Sequence, residues 1–345
     1  MRAFEWGTNV YESRPTISSL ESLDYIYGTF ERLHARKASA SRVRSISASA
    51  KQAREYFAQA LASSFYVKPL LTFYGVASLT RAMTVLLSRQ GGEEALTQGH
   101  GLVTAEWKSV LTSDIGKGVS NLGNLVVKTS KGLFLDQISA TRNRISIEGT
   151  ARRPWVRYKG SEIPCGKDVK LIDLILSIPD LQDQIWTSGL QSKFGVVSDI
   201  SFLNGPHNRA PFIDIPGNEI GQAYEAMGYK VADGTIQVDR ETFVQNPPQM
   251  MSDMRDRTAN TQVVHYITIP LLGQSSLSQL SITFIASFYM GMLARYYPTH
   301  WVALIDGVKG DSFSPILKRL QKYIDNNYPD LVATMIDDFI VAPDF

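Results

Sequence analysis

Between Ala259 and Ala294 the chain carries no Asp, Glu, Lys or Arg, although charged residues make up 20% of the whole. Within it, residues 281–295 are apolar on nearly every side at helical period, the pattern of a core helix rather than a surface one. Thr283, Ser287 and Gly291 form a stripe of small residues at four-residue spacing, beside a bulky row of Leu280, Phe284, Phe288 and Met292. A partner helix is expected to come close along that stripe. The apolar run is shorter than the roughly 18–20 residues a bilayer asks for, and Ser, Thr and Gln recur in it, so no membrane is expected. Pro298 stops the helix near 295–297 and suits the first turn of a new one. Arg295 and His300 thus flank a helix corner, with Trp301 behind.

The same reading predicts an extended arm up to about residue 20, packed by Phe4, Trp6 and Tyr11, then a helix over 20–38 after Ser18 and Ser19. An amphipathic helix follows over 50–61, with Ala53, Tyr56, Phe57, Ala60 and Leu61 on one face. Pro69 opens a strongly apolar helix to Leu87, expected to lie against the one centred on Phe288. Gly91-Gly92 breaks the pattern, and His100 stands between glycines in a loop.

From about residue 121 the period becomes two. Leu125-Val-Val127 and Leu133-Phe-Leu135 flank Ser130-Lys-Gly132 as a hairpin, and 144–148 and 155–158 read as strands. Asp168 is expected to cap a helix over 169–177, and Pro179 to restart a short one ending near Gly189. Strands over 194–202 and 212–215 flank a Gly/Pro loop carrying His207 and Arg209. A helix over 218–227, a hairpin over 231–238 with an Asp-Gly turn and a strand over 263–269 come next. Two helices, 314–326 and 329–340, each marked by proline, close the chain.

The order is helices, sheet, helices: an α+β fold in which a β-rich insertion, 121–249, interrupts a helical body made by 1–120 and 250–345. At 345 residues and 44% hydrophobic content the chain can bury a substantial core. A net charge of +2 leaves any affinity for nucleic acid to local clusters. Cys165 is the only cysteine, which excludes an internal disulfide and fits a reducing cytoplasm. The N-terminus lacks the uninterrupted apolar stretch of a signal peptide.

Two basic runs stand out. Arg32, Arg36, Lys37, Arg42, Arg44, Lys51 and Arg54 follow one another without an acid, with five serines from Ser39 to Ser49. This reads as a connector between helices or as a phosphate-contacting patch. In the second, Arg142, Arg144, Arg152, Arg153, Arg157 and Lys159 face only Glu148, with Trp155 and Tyr158 interleaved. Basic groups beside aromatics are the ingredients of a single-strand binding face, and equally the outward positions of a half-buried sheet.

Three segments together resemble the YaaC-like family of bacterial proteins: Ala50-Lys-Gln-Ala-Arg-Glu-Tyr-Phe57 leading to Lys68-Pro-Leu-Leu-Thr-Phe-Tyr-Gly75, then His100-Gly-Leu102, then Met292-Leu-Ala-Arg-Tyr-Tyr-Pro-Thr-His-Trp301. Arg295, Tyr296, Pro298 and Trp301 match the family pattern, whereas His300 falls at a variable position. The resemblance implies a bacterial cytoplasmic protein and carries no settled activity with it. Orphan proteins of this kind sometimes serve in antiviral defence, a role no residue here marks.

No phosphate-binding GxxxxGK[ST] loop, dinucleotide fingerprint or GxSxG elbow occurs, and the five histidines form no close pair at ligand spacing. Neither a cofactor nor a metal is expected. The reading that follows is a non-catalytic binding or effector component, engaging a protein or RNA partner through Arg142, Arg144, Arg152, Arg153, Trp155, Arg157, Tyr158, His207 and Arg209. A homodimer is compatible with it. The alternative is a metal-independent ribonuclease similar to the HEPN type, in which His300 takes the 2′-hydroxyl proton and Arg295 stabilises the phosphate charge. Pro298 departs from that pattern. In the bland reading Arg295 caps the last carbonyls of the core helix while His300 packs the corner.

Overall fold

The structure, a computed structural model, describes residues 15–148, 155–197, 212–213, 218–232, 235–254, 264–307 and 311–343. The expected arm over residues 1–14, Arg152, Arg153, His207 and Arg209 lie outside the described residues. Pro15 opens a short helix, α1 (Pro15–Ser19), and α2 (Leu23–His34) begins at Ser22, whose side chain accepts from the Tyr25 N–H. Ser39 then caps α3 (Ala40–Ala62) in the same way, accepting from the Arg42 N–H. The basic, serine-rich run is therefore a linker only over residues 35–39; from Ala40 onward it is the first half of a helix. Its stripe of Val43, Ile46, Ala50, Ala53 and Phe57 is buried at three- and four-residue steps, and Ser47 donates to the Glu21 carbonyl at 2.9 Å.

The antiparallel neighbour of α3 is α4 (Lys68–Leu87), opened by Pro69 as expected. Among the described residues it is the helix long and apolar enough to cross a membrane, and most of it is buried inside the fold. Next come β1 (His100–Ala105), α5 (Trp107–Val110), α6 (Ile115–Ser120), β2 (Val126–Gly132) and α7 (Leu133–Ala140). Two expectations are corrected here. His100 starts a strand, opposite Gly132, rather than sitting in a loop, and Leu133-Phe-Leu135 opens a helix rather than closing a hairpin. A short apolar run has no period that separates strand from helix. Gly132, at φ 138°, makes the turn, because a Cβ there would lie 2.4 Å from the Gly101 nitrogen.

β3 (Arg144–Glu148) and β4 (Trp155–Lys159) pair antiparallel, as read from the sequence. β5 (Asp168–Lys170) joins β1 and β2 in the order β1-β2-β5, so Asp168 is a strand residue beside Lys128 and not a cap. α8 (Leu171–Leu176), α9 (Gln182–Thr187), β6 (Phe194–Val196), β7 (Phe212–Ile213) and α10 (Asn218–Glu225) follow. β8 (Lys230–Ala232) and β9 (Thr235–Gln237) form the expected hairpin, and α11 (Arg240–Gln245), β10 (Gln249–Ser252) and β11 (His265–Thr268) complete the middle region. Its small sheets are all antiparallel: β10-β11-β6, β3-β4 and β7-β9-β8.

The axis of the main core is α12 (Gln279–Tyr296), buried without a break from Leu280 to Leu293. It packs on α4 as expected: Phe73 meets Phe288 edge-on at 5.6 Å, and a Cβ on Gly291 would lie 2.7 Å from that of Phe73. The other end of the small stripe meets α14 (Ser314–Val341), where Thr283 and Tyr323 share a hydrogen bond of 2.9 Å. Pro298 starts α13 (Pro298–Ile305). α14 is continuous where two helices were expected, with Pro329 inside it. The missing N–H costs about 3 kcal/mol in a free helix. Here Tyr328, Pro329, Val332, Ala333 and Ile336 are all buried against the body, and Tyr328 and Thr80 share a hydrogen bond of 2.6 Å, so packing prevails. A second, smaller core gathers Ile145, Tyr158, Tyr224, Ile236, Phe243 and Ile267 from the β-rich region.

Candidate functional site

Where α2 and α4 end side by side, the last carbonyls of α4 need partners. His34 Nε2 donates to the Leu86 carbonyl at 2.9 Å, Arg42 donates to that of Ser88 at 3.3 Å and Arg36 donates to that of Arg89. Cations at a helix C-terminus also meet the negative end of its dipole. Arg42 is 5% exposed, with its guanidinium 4.7 Å from the centre of the Phe30 ring. Part of the basic run thus serves the fold. Burial, together with Arg42, Arg36 and Arg89, holds His34 below its ordinary range against the raising effect of its bond to Leu86.

Arg32, the first residue of that run, opens onto a cleft of about 270 Å³. Arg32 comes from the end of α2, Arg89 from just beyond α4 and Arg142 from just beyond α7, with Phe339 and Pro343 of the C-terminal segment forming the far wall. All three arginines are exposed. Arg32 donates to Thr29 Oγ1 at 3.1 Å and Arg142 to the Pro343 carbonyl at 3.1 Å, while the Arg89 side chain has no partner among the described residues. Among the described residues no carboxylate lines this cleft. An anion entering it meets three guanidiniums delivered by three separate elements.

Of the described residues read as a binding strip, Arg142 is the one that reaches this cleft. Arg144 is fully buried and pairs with Asp338 of α14 at 2.9 Å, its guanidinium lying 3.8 Å over the Phe339 ring. Arg157 binds the same carboxylate from β4, and Ser146 donates to it at 2.7 Å. Tyr158 is buried in the smaller core and donates to the Pro248 carbonyl at 2.9 Å. The expected exposed strip is in these positions an internal clamp between the β3-β4 hairpin and α14. In the backbone register of the β3-β4 hairpin Trp155 stands opposite Glu148.

Arg295 and His300 hydrogen-bond to different elements. Arg295 is exposed, donates to the Tyr74 hydroxyl at 2.9 Å and lies over the Tyr296 ring, so it binds a neighbouring helix rather than its own last carbonyls. His300 donates from Nε2 to the Thr112 carbonyl at 3.0 Å with its ring against Gly118, and Trp301 donates to the Tyr66 carbonyl at 3.0 Å. The histidine that does come near Arg295 is His100. Half-buried, it sets its ring edge-on to Phe73 at 4.9 Å, and burial, Arg295 and Arg81 lower its pKa in that order. Among the described residues no three His, Cys, Asp or Glu gather as a metal ion would require.

Sequence reasoning singled out Arg32 and Arg142 separately and passed over Arg89. Its one signal was its place between the end of an apolar helix and Gly91-Gly92.

A helical body carrying an antiparallel β-rich middle, with an arginine cleft at the ends of its helices, defines an α+β protein, as the order of elements in the sequence predicted. The three segments that carry the family resemblance come together in space at Phe73, Tyr74, His100 and Arg295. The profile of the family described as YaaC-like Protein matches residues 9–336, and the chain belongs to that family. No curated protein and no solved structure matches it.

Proposed function

We propose that this YaaC-like protein is a binding component that engages a nucleic-acid partner, single-stranded RNA, through the cleft of Arg32, Arg89 and Arg142. The observation that supports this is the convergence of three exposed guanidiniums on one concave site, with no carboxylate among its described lining residues. Phosphate is a ligand that a planar, multiply donating cation binds through two parallel hydrogen bonds. The near-neutral overall charge fits local rather than global attraction.

Fluorescence anisotropy with a labelled single-stranded RNA, measured over a salt series, tests the reading. Binding is expected to weaken linearly on a log-log salt plot. Arg32→Ala, Arg89→Ala and Arg142→Ala should each flatten the slope by about 0.7, the value for one phosphate no longer neutralised. RNA binding indifferent to all three substitutions would overturn it.

A further inference from the structure

The arginine cleft has a second compartment, and its chemistry differs. An adjoining cavity of about 370 Å³ shares Leu87, Arg89 and Arg142 with the first. Where the first is lined by cations and apolar groups, the second presents Thr84, Ser88, Gln90, Asp136 and Ser139. Each compartment is of the size of a single small ligand group, and small-molecule sites span about 300–1,000 Å³. The Asp136 carboxylate, already accepting from the Thr97 N–H at 2.7 Å, repels a phosphate from the second compartment and suits hydroxyl or amino donors there. Thr84 supplies an independent observation. It is 1% exposed, lines this compartment, and its Oγ1 has no hydrogen-bond partner among the described residues. A buried hydroxyl without a partner is unfavourable, and a ligand group that reached it would relieve that cost.

We infer that the two compartments together bind a terminal phosphomonoester and the nucleoside that carries it. The phosphate lies among Arg32, Arg89 and Arg142, and the sugar hydroxyls and base edge lie against Thr84, Asp136 and Ser139. This rests on the RNA reading above and narrows it from the strand to its end. A terminal phosphate offers three oxygens and up to two charges to three guanidiniums, whereas an internal phosphodiester offers two oxygens and one charge. An internal phosphate must also let the chain leave in both directions. A terminal nucleotide needs only one exit.

The test is equilibrium binding of the full chain to an eight-nucleotide RNA bearing a 5′-phosphate, a 3′-phosphate or hydroxyls at both ends, and to adenosine monophosphate alone. At least tenfold tighter binding of one phosphorylated RNA is expected, and the two phosphorylated forms tell which end is read. Arg89→Ala should remove that preference and Arg89→Lys restore part of it. Thr84→Val, which keeps shape and removes the hydroxyl, should weaken the phosphorylated RNA several-fold while leaving circular dichroism unchanged. Equal, arginine-dependent binding of all three RNAs would overturn end recognition and leave the RNA reading standing. Binding of the mononucleotide with no RNA bound would support the two-compartment site and overturn the RNA reading. Failure of every probe would overturn both.

Discussion

Arg144 donates to Asp338 at 2.9 Å across a separation of 194 residues, with both side chains 1% exposed or less. The pair fastens β3 to the last turns of α14, and Arg157 and Ser146 complete the shell of the carboxylate. Removing one partner of a buried pair leaves the other charge uncompensated. Asp338→Ala is therefore expected to cost about 3–5 kcal/mol in urea unfolding. Replacing Arg144 and Asp338 together by apolar residues should cost clearly less than the two single changes summed. Additive losses would show that the pair is not coupled.

Gly291 is the place where α12 comes closest to α4. A methyl group there meets Phe73 Cβ at 2.7 Å, inside the closest real approach of two carbons. Gly291→Ala should destabilise by about 1–3 kcal/mol despite the better helix propensity of alanine. Combined with Phe73→Gly, which removes the Cβ itself, the loss should be smaller than the two single changes summed, because the close contact is gone. Thermal unfolding of the single and double variants reads these values, and strictly additive losses would contradict the close approach.

The carboxyl of Asp325 accepts from Thr72 and Gln321, both through Oδ1 at 2.6 and 2.8 Å. Burial nevertheless raises its pKa above the ordinary range, outweighing Thr72, Lys68 and Gln321, which act in the opposite sense. The folded state therefore binds this proton more readily than the unfolded chain. The stability it contributes is present below the unfolded value and is lost as pH rises through the folded one. Asp325→Asn keeps an oxygen at the Oδ1 position and removes the charge. It should raise the unfolding midpoint at pH 8, with a smaller gain at pH 5; a loss at pH 8 would contradict the desolvation argument.

His34 works in the reverse direction. Its pKa is lowered from 6.5, burial being the largest cause, so below 6.5 the unfolded chain takes up the proton first. Its contribution to stability is full above 6.5 and falls as pH drops from there to the folded value. His34→Gln, measured beside the parent by urea unfolding between pH 7.5 and 5, should flatten that part of the profile. Parallel profiles would assign the acid sensitivity elsewhere.

The helical body is written locally in the chain. The uncharged run through α12, the proline-opened α4 and α13 and the glycine at 291 state their elements on their own, because period, capping and close approach act over a few residues. The α+β order and the β3-β4 and β8-β9 pairings were legible for the same reason. Which polar faces lie inside depended on distant partners. Serines along α3 hid a buried stripe, Pro329 was overridden by the packing around Tyr328, and Arg144 and Arg157 turned inward because Asp338 stands on a helix far along the chain. The cleft belongs to that level too. Arg32, Arg89 and Arg142 come from three elements that local pattern cannot bring together, and their charges meet only because α2, α4 and α7 end on the same side of the core.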